Sequence, residues 1–375
     1  TFIHNNNKRI RLGYFSSDFK NHAVITLIKD VFKNHDKNKF DLFGFNLSRI
    51  YQKNLIDNVT ISNFKEFFDC GYKSDLEIQN LIKEHKIDIS IDLNGHTKDN
   101  RFEIFKKRCS PIQINYLGYP GTSGSSKFDY IIADKILIPD HLQNHYSEKI
   151  IYLPDTYQPN CFENFKLKKN LNKESFSLPE DKFIFCCFNN LIKFNKDILD
   201  LWSKILSLSK NSIIWILCSK MSIQRKNIIK EFEKRDIHES RIFFSEKTVY
   251  DKHLERFKLA DLFLDTYPYG GHTTAIEALA AELPILTRIG ETFQSRVSAS
   301  LLESIGLAEL ITHDKDDYVK LAVELSKNIE KTFQLKKWIH DQKKKSNIFN
   351  NKIYTQNLEK AYLKAFDTFL NKKKI

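Results

Sequence analysis

Residues 261–284 read D-L-F-L-D-T-Y-P-Y-G-G-H-T-T-A-I-E-A-L-A-A-E-L-P, and the rest of the chain is organised around them. Leu262-Phe263-Leu264 has the apolar character of a buried strand, and Tyr267 to Gly271 that of a loop built on Pro and a glycine pair. From Thr273 or Thr274 to Ala281 the Ala- and Leu-rich composition predicts a helix. A strand feeding a glycine loop that opens a helix leaves backbone N–H groups pointing into the loop, and the helix dipole adds positive potential there. Gly270 and Gly271 let the backbone approach an anion without a Cβ in the way. Thr273 and Thr274 add hydroxyls and His272 a ring N–H, so the stretch reads as a phosphate cradle. Thr274 and Glu277 fit equally well as the ends of a capping box that any surface helix could use.

Working outward, the same alternation recurs along the chain. In the first half, strands are expected at 9–15, 40–45, 87–93, 112–117, 128–133 and 150–153, with helices at 22–32, 75–85 and 101–108. In the second half, strands at 183–188, 213–217, 242–244 and 285–287 alternate with helices at 197–207, 224–234 and 250–259. Further helices are expected from Gly290 to Ile305, at 317–328 and at 353–370. Strands alternating with helices predict doubly wound parallel sheets. The polar, aperiodic stretch Asn160 to Glu174 marks a boundary. The expected organisation is an N-terminal Rossmann-like domain over 1–158, a linker over 159–175, and a C-terminal Rossmann-like domain over 176–375 that includes the closing helices. Ligands of such folds lie beyond the carboxyl ends of the strands, so a cleft between the halves is expected. Neither half carries the G-x-G-x-x-G dinucleotide fingerprint.

Length and composition narrow the classes. A chain of 375 residues, 41% hydrophobic and 28% charged, is long enough for two cores. No apolar run approaches the roughly 18 residues that span a bilayer, so no membrane association is expected. The six cysteines form no C-x-x-C pair and no regular framework, as in a reducing cytoplasm. The net charge of +12 comes from scattered lysines rather than a basic face interleaved with aromatics, so nucleic acid is not the expected partner. Lys372 to Lys374 read as a solvated tail.

Several strand-end segments together resemble the catalytic region of the O-linked N-acetylglucosamine transferase/SPINDLY family. In the first half these are G-Y-F-S-S-D-F-K-N-H (13–22), L-G-Y-P-G-T-S-G (117–124), D-Y-I-I-A-D (129–134) and Y-S-E-K (146–149). In the second half they are F-N-N-L-I-K (188–193), L-A-D (259–261), G-H-T-T (271–274), G-E-T (290–292) and S-R-V (295–297). The resemblance covers nearly the whole chain in order. It implies a GT-B architecture and inverting, metal-independent transfer of a sugar from a nucleotide diphosphate to a protein hydroxyl. The expected donor is UDP-GlcNAc or a related nucleotide sugar, the acceptor a protein Ser or Thr, with no cofactor and no metal.

The resemblance also carries roles, position by position. Lys193 matches the lysine that contacts the leaving diphosphate, and His272, Thr273 and Thr274 supply the remaining donors. Glu277 matches the acidic position that binds ribose, where Asp is usual. His253 matches the histidine that stacks on the base, and Arg256 lies one helical turn further on the same face. His22 matches the histidine once proposed as catalytic base. Gly118, Tyr119 and Pro120 are expected to shape the sugar pocket. His96 is a second loop histidine, for which local bonding by its neighbours is the expected reading. Two departures bear on the donor. Asn190 stands where the animal enzymes have Gln, and Tyr250 where a base-contacting Lys is found. The family's acceptor-gripping helical repeats are absent from this segment. Because the sequence begins with Thr rather than Met, an N-terminal repeat region trimmed from a longer protein is expected. GDP-fucose or UDP-glucose transfer to protein, an inactive donor-binding module, and a two-domain nucleic-acid binder are the rival readings.

Overall fold

A computed structural model describes residues 9–49, 58–163, 165 and 171–372. Part of the expected linker (164 and 166–170) and Lys373 and Lys374 of the tail lie outside them. The chain divides into two compact units, residues 1–163 with 347–375, and residues 164–346.

The first unit holds a sheet of seven strands: β1 (Ile10–Ser16), β2 (Phe40–Asn46), β3 (Glu66–Asp69), β4 (Ile89–Asp92), β5 (Ile112–Asn115), β6 (Tyr130–Ala133) and β7 (Lys149–Tyr152). Its order is β3-β2-β1-β4-β5-β6-β7 and every pairing is parallel. Strands covered on both faces need near-continuous apolar runs, which β1 and β2 supply. Leu12 pairs with Leu42 on one side and Ile89 on the other. Behind the sheet, Phe15 stacks on Phe45 at 4.3 Å and meets the edge of Phe105 at 5.3 Å. The helix Ala23–Asn34 turns Val24, Ile28, Val31 and Phe32 inward at helical spacing. The helix Asp75–Glu84 starts in a reciprocal cap between Ser74 and Glu77. The chain winds outward from β1 to β3, then returns to place β4 on the other side of β1. The loops after β1 and β4 therefore diverge around a crevice, the switch point of the sheet.

The second unit repeats the plan with six parallel strands: β8 (Phe183–Cys187), β9 (Ser212–Leu217), β10 (Ile242–Ser245), β11 (Leu262–Leu264), β12 (Ile285–Arg288) and β13 (Ile311–Thr312). The order β10-β9-β8-β11-β12-β13 puts the switch point between β8 and β11. The decisive strand is central. Phe263 pairs with Cys186 on one side and Ile285 on the other, and it is fully buried.

Several expectations change. The closing helix, Asn351–Lys372, belongs to the first unit and not to the C-terminal one. Its polar core residues find their partners there: Glu359 Oε1 pairs with His35 Nδ1 at 3.0 Å, and the hydroxyls of Tyr354 and Tyr116 meet at 2.5 Å. Tyr354, Leu358, Tyr362 and Phe366 form the buried stripe between them. The strands β3 and β13 and the helix Ile329–Lys345 are additional to those expected. The helix expected from Gly290 to Ile305 is a short turn, Phe293–Ser295, followed by the helix Val297–Ser304. Among the described residues, no helix is long and apolar enough to cross a membrane.

Candidate functional site

In the second unit the loops after β8 and β11 meet at the switch point, and Asp265 organises them. Its Oδ1 accepts from the N–H groups of Gly271 at 2.6 Å and Thr266 at 2.9 Å and from Asn189 Nδ2 at 3.1 Å, and its Oδ2 from Thr287 Oγ1 at 2.8 Å. A carboxylate saturated in this way fixes the path of the glycine loop. Asn189 ties the two loops together, donating to Thr266 Oγ1 at 2.8 Å and accepting from Thr274 Oγ1. A Cβ on Gly270 would lie 2.9 Å from Asp265 Oδ2, so the glycine is required by the hub itself. Sequence reading did not single out Asp265. An acid immediately after a buried strand and before a glycine loop was its only signal.

The helix Thr273–Ala280 begins at His272, whose side chain makes no capping bond. Ala275 and Ile276 donate to His272 O, which leaves the N–H groups of Thr273 and Thr274 as the donors that helix geometry does not use. The capping box expected from Thr274 and Glu277 does not form, because Thr274 bonds Asn189 and Glu277 bonds the neighbouring helix. Lys193 closes the other side. Its Nζ donates to Gly270 O at 2.6 Å and lies 4.4 Å from the centre of the Tyr269 ring, which stacks on His272 at 5.2 Å. Burial lowers the Lys193 pKa, with Asp265 acting in the opposite sense. Burial, reinforced by the Lys193 charge, pushes His272 down to about 3, so its ring is neutral at physiological pH. Asn190 is exposed and accepts from Ile192 N at 3.2 Å, capping the short turn Leu191–Lys193.

Glu277, His253 and Arg256 come together one turn further along. Tyr250 donates to Glu277 Oε1 at 2.8 Å and His253 Nε2 meets Oε2 at 3.3 Å. The expectation for Arg256 is corrected. It shares a face with His253 but is 1% exposed, and its guanidinium donates to His253 Nδ1, Ser245 Oγ and Glu246 O. Burial lowers its pKa to about 10, with Cys186 and Glu277 acting in the opposite sense, so it stays charged at physiological pH. It holds His253 rather than facing solvent.

In the first unit, His22 caps the helix Ala23–Asn34, accepting from Val24 N at 3.3 Å, with Asp18 Oδ2 3.6 Å from the same Nδ1. Asn94, from the loop after β4, binds Ser17 N at 2.6 Å and donates to Asp18 Oδ2 at 3.0 Å, joining the two switch-point loops. Asp92 beneath it accepts from Asn94 N and Gly95 N, and burial outweighs these bonds to push it up to about 6. His96 donates to Ser123 O at 2.8 Å and packs edge-on against Tyr119, a locally bonded loop histidine. Gly118 is required by packing, since a Cβ would fall 1.9 Å from Leu93 O. Pro120 is buried in the same loop. Glu148 braces that loop, accepting from Ser123 N at 2.6 Å and Thr122 Oγ1 at 2.6 Å. Burial works against its charge, but these bonds hold its pKa below the usual value.

Two parallel sheets, each with its polar loops at its own switch point, define an α/β protein of two Rossmann-like units. Over 98% of this chain and 69% of the other, the fold is similar to that of a mutant of the Thermobaculum terrenum O-GlcNAc transferase (TM-score 0.89, 24% identity). The fold is therefore GT-B. The chain belongs to glycosyl transferase family 41, whose model matches residues 2–165 and 162–358. It is 33% identical over 96% of its length to the Arabidopsis thaliana protein described as "Probable UDP-N-acetylglucosamine--peptide N-acetylglucosaminyltransferase SEC". It is 26% identical over 94% of its length to the Caenorhabditis elegans UDP-N-acetylglucosamine--peptide N-acetylglucosaminyltransferase. The chain spans 37% and 40% of the lengths of these two relatives.

Proposed function

We propose that this chain carries the catalytic region of an inverting, metal-independent protein O-glycosyltransferase that moves N-acetylglucosamine from UDP-GlcNAc to Ser or Thr of acceptor proteins in the cytoplasm. The observation that carries the reading is the Lys193 ammonium bonded to Gly270 O on the glycine loop that opens the helix Thr273–Ala280. Departure of UDP from the sugar places negative charge on the β-phosphate. An ammonium, the Thr273 hydroxyl and the first N–H groups of a helix are a donor set suited to that charge. In this scheme Lys193, His272, Thr273 and Thr274 serve the diphosphate, while Glu277 and His253 serve the ribose and the base. Arg256 acts only through His253, and Gly118 and Tyr119 shape the loop of the first unit. His22 is the candidate base.

The test is a thermal-shift panel of UDP-GlcNAc, UDP-glucose and GDP-fucose, followed by transfer of labelled sugar to a protein acceptor. A bound donor stabilises the fold by mass action, so the largest shift names the donor. UDP-GlcNAc giving the largest shift, with label on protein after incubation, is the expected result. A shift confined to GDP-fucose would move the reading to fucosyl transfer. Binding without transfer would move it to a donor-binding module. EDTA is expected to leave turnover unchanged, and strong inhibition reversed by Mg²⁺ would defeat the metal-free scheme.

A further inference from the structure

Glu277 sits in the first half of the helix Thr273–Ala280, with its side chain 5% exposed and both carboxylate oxygens bonded to the helix Tyr250–Arg256. Its two donors are held very differently. His253 is pinned from behind by Arg256, and a guanidinium can only donate. His253 Nδ1 is therefore the acceptor and Nε2 carries the hydrogen, aimed at Glu277 Oε2 3.3 Å away. Arg256 is in turn fixed by Ser245 Oγ at 2.9 Å and Glu246 O at 2.8 Å. This side of the clasp cannot turn without breaking several buried bonds.

Tyr250 is the contrast. It is the first residue of its helix, 41% exposed, and it reaches Glu277 Oε1 through a phenol at the end of a rotatable side chain. What it presents to the carboxylate is one O–H at 2.8 Å, which is what a ligand alcohol would present. Glu277 thus has one fixed donor and one replaceable donor, and the replaceable one is a hydroxyl.

We propose that the Tyr250 phenol is a built-in stand-in for a sugar hydroxyl, occupying the oxygen of Glu277 that a nucleotide's ribose takes and rotating aside when the nucleotide binds. This rests on the reading of the second unit as the nucleotide-sugar half. Binding then exchanges one hydrogen bond on Glu277 for another, so the ribose contact adds little net affinity while Tyr250 competes for it. A nucleotide lacking the matching hydroxyl leaves the phenol in place. Tyr250 is in this sense a specificity determinant: it sets how strongly the site separates a ribonucleotide from its deoxy counterpart.

The experiment is calorimetric titration of the whole chain, wild type and Tyr250→Phe, with UDP, 2′-deoxy-UDP and 3′-deoxy-UDP. Removing the phenol leaves Oε1 without its competing donor, so UDP should bind the variant about tenfold more tightly, as a hydrogen bond to a charged group would give. The deoxy nucleotide lacking the matching hydroxyl should gain nothing, so the ribo-to-deoxy ratio widens by the same factor. Thermal melting of both proteins checks that the variant is folded. A clasp with a purely structural role would lower the melting temperature and leave that ratio unchanged. UDP binding to the variant equally or more weakly, with wild-type binding intact, overturns the proposal. A wild-type protein that binds no UDP overturns the nucleotide reading beneath it, and the two failures are distinct.

Discussion

The Lys193 ammonium lies 4.4 Å from the centre of the Tyr269 ring while donating to the carbonyl of Gly270, the next residue. One loop therefore holds the cation twice, through its backbone and through an aromatic face. An ammonium whose pKa burial lowers is kept beside the helix start by these two contacts.

Lys193→Ala should lower turnover at least about 100-fold, the cost of losing one donor to developing charge. The fold should persist, because the variant removes a partly buried charge together with its desolvation cost. Initial rates with saturating donor, beside circular dichroism, make the check, and near-normal turnover would remove Lys193 from the mechanism. Tyr269→Phe should retain most of the activity, since the ring face is kept, whereas Tyr269→Leu should not.

His272 gives a pH dependence of definite sign. In the unfolded chain it titrates near 6.5, and in the fold burial pushes it down to about 3. Between those values the unfolded state binds a proton that the folded state refuses, so the His272 contribution is complete above about 6.5 and is lost as pH falls. The slope is at most about 1.4 kcal/mol per pH unit. Asp92, pushed up to about 6, has the opposite sign and contributes stability that disappears as pH rises through that value. Comparison of wild type with His272→Gln cancels the Asp92 effect. Urea midpoints at pH 7, 6 and 5 should show the gap between the two proteins narrowing on acidification.

Two glycines of one loop should behave differently. Gly118→Ala puts a Cβ 1.9 Å from the Leu93 carbonyl, a backbone atom that cannot step aside, and should cost at least about 2–3 kcal/mol. Gly124→Ala meets nothing within 4 Å and carries only the penalty of its left-handed φ of +65°, about 1–2 kcal/mol. Equilibrium denaturation of the two variants decides the order.

Glu359→Ala should destabilise the first unit by about 2–4 kcal/mol. It leaves His35 Nδ1 and the N–H of Asp36 without the carboxylate oxygen that both now use, at 3.0 Å and 2.7 Å. Hydrogen exchange should show the loss in residues 9–163 and spare residues 171–346. Equal loss in both units would mean that the closing helix is not specific to the first.

The sequence by itself determined most of the strands, the order in which they alternate with helices, and the loops that carry chemistry. Apolar runs such as Phe183 to Phe188 and a glycine pair before Thr273 are local signals, and they need no partner to be read. The short strand Glu66–Asp69 and the lysine-rich helix Ile329–Lys345 escaped because an edge strand that is only partly buried, and a helix with much of its surface exposed, leave weak patterns. Tertiary structure alone decided the rest. The buried stripe of the closing helix says that one face is covered, but only Tyr14, His35 and Tyr116 say by what. Helical spacing puts Arg256 beside His253, yet depth is not a property of spacing, and the guanidinium lies inside. Glu277 meets Tyr250 across 27 positions of sequence. Periodicity reports which face of an element turns inward. The partner that face meets depends on how separate elements pack, and no local pattern encodes it.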